Sequence, residues 1–257
     1  MNTLVENQFG HGAKVQGNLV HKLKRLLRSN IGMVSIPFDW SKGVIGKTEY
    51  NIKNQFQSFS CWGQMFSQMV RIFIGGEELS AKAAYSPIYA PGTGGVYLAK
   101  GITEAKVFGI TTEAKVPSKN LYGGVSEPFM EDKSWMSASM IDDCFTRRGW
   151  KVVNVAINVD SMAQAIRDYG CIGILIHGQN NGSWLSQFPT PPDINSTEEI
   201  WAHFMCSKPN IRPQVGTKQL DFSQSWGEQV GLGGVQTFDE KYINSGYIVD
   251  VFTFIKV

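Results

Sequence analysis

The chain has 257 residues, 42% of them hydrophobic and 12% aromatic, with 24 basic and 22 acidic side chains and a formal charge of +2. That length and apolar content suffice for a sizeable core, as one large domain or two packed lobes. The near-neutral balance argues against nucleic acid as the main partner, and no run approaches the roughly 18 apolar residues of a membrane span.

Residues 1–13 read as flexible, and Met1 to Asn18 lacks the apolar core of a standard secretion signal. Val15 to Arg28 reads as a short amphipathic helix. Leu19, Val20, Leu23, Leu26 and Leu27 share one face; Lys22, Lys24, Arg25 and Arg28 occupy the rest. Docking on the body with a solvated basic face is the simpler reading, and contact with a protein partner or an anionic surface is the other. Trp62, Met65, Phe66, Met69, Val70 and Phe73 recur at spacings of three and four, which predicts a helix from Cys61 that ends at Gly75-Gly76. A second helix is predicted from Val96 to about Phe108, with Gly109 as its stop. Ser118 to Asp132 is rich in Gly, Pro and Ser and reads as loop; Asp142 to Arg148 reads as a short helix.

After Gly149 the period changes. Val152 to Val159 alternates as a strand does, and Ser161 to Tyr169 reads as a helix capped by Ser161. Cys171–His177, Ile200–Cys206, Lys218–Gln224 and Tyr247–Lys256 read as further strands. Gly231-Leu232-Gly233-Gly234 reads as a turn. Helices in the first half followed by strands in the second make an α+β pattern.

Four cysteines do not make a disulfide framework. Cys171 lies in an apolar run and reads as a buried thiol; Cys144 and Cys206 are able to pair, but nothing requires it. The expected setting is reducing. There is no Gly-rich phosphate loop, no paired Cys or His spacing suited to zinc and no dinucleotide fingerprint, so neither metal nor cofactor is expected.

The densest chemical signal is Asn54-Gln55-Phe56-Gln57-Ser58-Phe59-Ser60-Cys61-Trp62-Gly63. A thiolate at Cys61 would face the positive end of the predicted helix. The Cys61 N–H and the Gln55 amide would point to one spot, the parts of a thiol nucleophile with an oxyanion hole. A buried structural thiol is the competing reading. A base must come from His11, His21, His177 or His203. The first two lie in the extension; His177 ends an apolar strand, and His203 sits in Trp201-Ala202-His203-Phe204-Met205-Cys206, which reads as the start of another.

The order Asn-Gln, spacer, Ser-Cys-Trp resembles the nucleophile segment of papain-like cysteine peptidases. His203 lies 142 residues after Cys61, within the family's spacing of about 130–150. Leu220-Asp221-Phe222-Ser223-Gln224-Ser225-Trp226-Gly227, followed by Gly231, resembles the family's Asn-Ser-Trp-Gly element, with Gln224 in the asparagine position. Ile36-Pro37-Phe38-Asp39-Trp40 resembles the start of a mature enzyme, and Gly94-Gly95 falls where the family has a glycine pair lining the substrate cleft.

The resemblance covers about residues 33–257. It implies a papain-like two-lobe α+β fold with the active-site cleft between the lobes. The helical lobe would span about 42–148. The antiparallel, barrel-like sheet lobe would span about 149–257 plus 33–41. Residues 1–32 would be an N-terminal extension, too short to resemble the usual inhibitory prosegment. The implied activity is peptide-bond hydrolysis without a cofactor. Cys61 would attack the scissile carbonyl and form an acyl-enzyme, with His203 as general base and then acid. Gln55 and the Cys61 N–H would hold the oxyanion. The Gln224 carbonyl would orient His203 under Trp226, and Gly94, Gly95 and Trp226 would line the substrate site.

Three departures stand out. Gln224 is one methylene longer than asparagine, so Gln224→Asn is expected to match or exceed the wild type, and Asp221 is a rival orienter. Val230 replaces a second tryptophan, and Ser58 replaces a bridge cysteine. Gln224 and Val230 support an alternative, a catalytically impaired papain-like module used for peptide binding or particle assembly. Acyl transfer to an amine is a third reading. The divergent, disulfide-poor chain points to a bacterial or viral source and a cytoplasmic or virion-associated setting. The expected partner is a peptide or protein substrate, with the extension offering a surface to a further protein.

Overall fold

The computed structural model describes residues 37–46, 51–89, 92, 94–119 and 125–257, together with the backbone of 13–14. The helix predicted over Val15–Arg28, and with it His11, His21 and Ile36, lies outside the described residues.

The first described element is a short strand, β1 (Ala13–Lys14). Helix α1 (Cys61–Ile74) follows from its apolar period: Trp62, Met65, Phe66, Met69 and Val70 are buried, and Gly75 at φ 70 ends it. Burying one such side chain stabilises by about 1.5–3 kcal/mol. In α2 (Ala81–Tyr85) the Ser80 hydroxyl caps the helix by accepting from the Ala83 N–H at 2.9 Å. The two helices pack so closely that a Cβ on Gly63 would drive into the Ala81 carbonyl. Val96 and Tyr97, predicted as helical, are extended instead. They form β2 (Val96–Tyr97), which pairs in parallel with β1 before α3 (Leu98–Val107) begins. Gly101 on α3 lies against the Trp62 indole, where no larger residue fits.

The predicted loop Ser118–Asp132 contains a helix, α4 (Glu127–Glu131), because Ser126 caps it and Pro128 sits in its first turn. The helix expected over Asp142–Arg148 starts earlier, as α5 (Ala138–Phe145), because Ser137 provides the cap.

The second half forms β3 (Trp150–Asn154), α6 (Val159–Tyr169), β4 (Gly173–Gln179), β5 (Ile200–Ser207), β6 (Gln219–Ser223), β7 (Val235–Asp239), α7 (Glu240–Asn244) and β8 (Ile248–Lys256). The alternating run from Val152 leaves the sheet after Asn154. The chain turns there because Asn158, not Ser161, caps α6: its Oδ1 accepts from the Ser161 N–H at 2.8 Å. The strands form one open antiparallel sheet in the order β3-β8-β4-β5-β6-β7.

Each face of that sheet has its own core. Leu175, Ala202, Phe204, Cys206, Phe252 and Phe254 pack with Trp62, Met65, Phe66 and Met69 of α1. Ile174, Ile176, Trp201, Met205 and Val251 pack with Met162 and Ile166 of α6 and with Phe38 and Trp40. Strand β5 alternates between the two cores, as its period of two requires. His203 falls in the row of Trp201 and Met205, while the helix headed by Cys61 packs on the same strand. No helix among the described residues is long and apolar enough to cross a membrane.

Candidate active site

The loop before α1 is folded by its own amides. The Gln55 N–H donates to Ser225 O at 2.7 Å, and Asn54 bridges to Trp226, so the loop is stitched to the chain just after β6. The Ser58 N–H returns to Gln55 O at 2.9 Å, and Gln55 Nε2 donates to Ser58 O at 2.8 Å. Phe56, between them, takes φ 48, a left-handed conformation costly for an aromatic residue; its N–H donates to Asn54 Oδ1 at 2.8 Å. Ser58, in the place of the absent bridge cysteine, instead donates to Gln55 O at 2.8 Å and meets the Ser60 hydroxyl at 2.7 Å. Ser60 in turn accepts from Gln64 Nε2 at 3.1 Å. All of Gln55, Ser58, Ser60 and Gln64 are buried.

A second tie comes from outside the loop. Glu127 accepts the Phe59 N–H at 2.6 Å and the Tyr85 hydroxyl at 2.5 Å. Burial raises the Glu127 carboxyl above its ordinary range, although both of these hydrogen bonds favour the charged form. Burial also raises Tyr85, with further contributions from Glu127 and from Cys61, so Tyr85 remains a donor.

Cys61 is the first residue of α1, with no acidic side chain in the first turn, and is fully buried. The positive helix terminus favours a thiolate there. Burial and Asp143 push Cys144 up to about 12, and burial holds Cys171 well above the ordinary thiol range. None of the four cysteines forms a disulfide.

His203 Nε2 lies 2.6 Å from Gln224 Oε1. The Trp226 ring lies over the imidazole, with centroids 5.1 Å apart and planes at 41°. His203, Gln224 and Trp226 are each 0% exposed. Gln224 uses its length at both ends: its Nε2 donates to Gln236 Oε1 at 3.0 Å. The double contact argues against the expectation that Gln224→Asn matches or exceeds the wild type, since a shorter arm does not span both partners. With the Gln224 carbonyl toward His203, Nε2 carries the ring proton, leaving Nδ1 as the basic nitrogen of the neutral ring.

Asp221 is not the orienter: it accepts from Thr237 at 2.6 Å and pairs with Arg212 at 3.2 Å. His177 also stands apart from Gln224, with Nδ1 3.3 Å from Trp201 O. Val230, in the place of the second tryptophan, is a buried core residue.

Ser225 joins the two halves of the site. Its hydroxyl donates to Gln55 Oε1 at 2.5 Å and lies 3.4 Å from His203 Nε2. The structure thus brings Gln55, His203, Gln224 and Trp226 into one buried network. Gly94 and Gly95, at φ 56 and φ 124, lie immediately before β2, and β1 runs along that strand and approaches β5. Sequence reasoning missed Gln236 and Glu127. Ser225 enters the sequence reading only as part of a motif, yet its place between Gln224 and Trp226 is a usable signal. No group of acidic, His and Cys side chains suited to a metal ion occurs among the described residues.

No protein-family model matches the sequence, and no curated protein matches it significantly. Solved structures do match. Xylellain, a cysteine protease from Xylella fastidiosa, aligns at TM-score 0.71 and 14% identity, over 98% of this chain and 97% of that one. The proform of the ragweed pollen cysteine protease Amb a 11 aligns at TM-score 0.63 and 14% identity, over 100% of this chain and 77% of that one. Digestive procathepsin L 3 of Tenebrio molitor larval midgut aligns at TM-score 0.59 and 15% identity, over 98% and 77%. At such identities the likeness is one of fold.

Proposed function

We propose that this chain, which has the papain-like α+β fold, is a divergent papain-like cysteine peptidase. The observation that carries the reading is the 2.6 Å contact of His203 Nε2 with Gln224 Oε1 under Trp226, linked through Ser225 to Gln55. That arrangement leaves His203 Nδ1 to exchange a proton with the thiol at the head of α1. The Cys61 thiolate attacks the scissile carbonyl, and the Gln55 amide and Cys61 N–H stabilise the oxyanion. His203 delivers its proton to the leaving amine, and a thioester remains. Water deprotonated by His203 then attacks the thioester, regenerating the thiolate and releasing the acid. Gly94 and Gly95 offer backbone to the peptide.

One observation favours a second reading, a module that binds peptides or assembles particles without turnover. Cys61 and His203 are fully buried, and β1 occupies the β2 edge beside the glycine pair. Cleavage of a broad peptide library separates the two. The peptidase reading expects turnover that Cys61→Ala abolishes. Turnover no higher than that of Cys61→Ala would leave the binding module. Adding a primary amine and analysing the products distinguishes hydrolysis from acyl transfer.

A further inference from the structure

We propose that Gln236 is a positioning residue for His203, acting only through Gln224; this rests on the peptidase reading of the same site. An amide has two ends that look alike in shape and differ in polarity, so Gln224 helps His203 only if its carbonyl faces the ring. Nothing within Gln224 selects that orientation. Gln236 does. It lies on β7, opposite Phe222 of β6, and is 0% exposed. Its Nε2 donates to Trp184 O at 2.5 Å and faces Ser186 O at 3.4 Å. Main-chain carbonyls only accept, so the Gln236 amide has one permitted orientation, with Oε1 toward Gln224. That oxygen takes the Gln224 N–H at 3.0 Å, and the Gln224 carbonyl is left to face His203 Nε2 at 2.6 Å. The polarity of two main-chain carbonyls, those of Trp184 and Ser186, is thereby relayed through two amides to the tautomer of one imidazole.

Two substitutions separate positioning from packing. Gln236→Met keeps the volume and removes the acceptor, so the Gln224 amide loses its bias. Gln236→Glu keeps an acceptor toward Gln224 in both protonation states, and its acid form still donates to Trp184 O. Hydrogen-bond partners that directly orient a metal-bound imidazole are worth about 10- to 100-fold, which is the ceiling for a residue that acts through Gln224. We expect Gln236→Met to lower kcat, up to that ceiling, with KM unchanged, and Gln236→Glu to retain most of kcat. In a Gln224→Ala background, Gln236→Met should add nothing. Imidazole nitrogen NMR supplies a readout independent of turnover: His203 should show the Nε2–H tautomer in the wild type and Gln236→Glu, and a mixture in Gln236→Met. A full additional loss of kcat in the Gln224→Ala background overturns the proposal, as does an unchanged tautomer in folded Gln236→Met. Should Gln236→Met not fold, loss of the Nε2–H tautomer in folded Gln236→Glu overturns it. A tautomer that responds to Gln236→Met in a protein with no peptidase activity supports the positioning role and sinks the peptidase reading.

Discussion

The two sides of the site are held by different chemistry. His203 is fixed by Gln224 and Gln236, neutral amides ending on the Trp184 main-chain carbonyl. The loop before α1 is held partly by neutral Ser58, Ser60 and Gln64, but its Phe59 N–H is tied to a carboxyl, Glu127. Protonation therefore reaches the geometry of the cysteine side directly. It reaches the histidine side only through the imidazole itself. pH sensitivity is therefore expected in the anchoring of the loop, while the orientation of the ring persists.

The largest effect is expected where the two sides meet. Gln55→Ala removes an oxyanion donor and the acceptor for Ser225, and should lower kcat by about 10²–10³-fold. A loss below about tenfold in steady-state kinetics would break the link between the halves. On the histidine side, Gln224→Ala should lower kcat by about 10–100-fold while leaving Cys61 open to alkylation. Gln224→Asn should fall between that variant and the wild type. Wild-type turnover in Gln224→Asn would show that reaching Gln236 is unnecessary.

On the cysteine side, Tyr85→Phe deletes a hydrogen bond to a half-buried carboxyl and should destabilise by about 1.5–3 kcal/mol in denaturant unfolding. An unchanged midpoint would mean that Glu127 needs only the Phe59 N–H. The smallest effect is the most specific. The folded Glu127 carboxyl binds its proton more tightly than the ordinary 4.5 of a glutamate. Its contribution to stability is thus best at low pH and declines as pH rises from about 4.5 through the folded value. Relative to Glu127→Gln, the wild type should lose Tm over that window, with about 2–4 °C expected per kcal/mol at this size. Parallel Tm–pH curves for the two proteins would remove the proposed pH asymmetry.

The residues proposed to carry the reaction are legible in the sequence because short segments hold them. Cys61 heads a clean apolar period, and Gln224-Ser225-Trp226-Gly227 is contiguous. The supports are not, because they arrive by long-range pairing. Gln236 reaches Gln224 only through the β6–β7 register, and β7 was hidden behind the glycine-rich turn at Gly231–Gly234. Glu127 was lost with α4, whose Pro128 and Ser126 read as loop residues although they start a helix. The cap of α6 is ambiguous in the sequence for a related reason: Asn158 and Ser161 are both capable caps, and the end of β3 decides between them.

Titrating the folded protein with a peptide-like thiol electrophile across pH, with the modified residue mapped by mass spectrometry, tests whether Cys61 is an activated nucleophile. One equivalent should react at Cys61 at about pH 6, below the ordinary thiol value of about 8.5. Cys144, whose thiol is pushed up to about 12, and buried Cys171 should stay unmodified. A Cys61 that reacts only as pH passes the ordinary thiol range, or not at all in the folded state, would contradict the account.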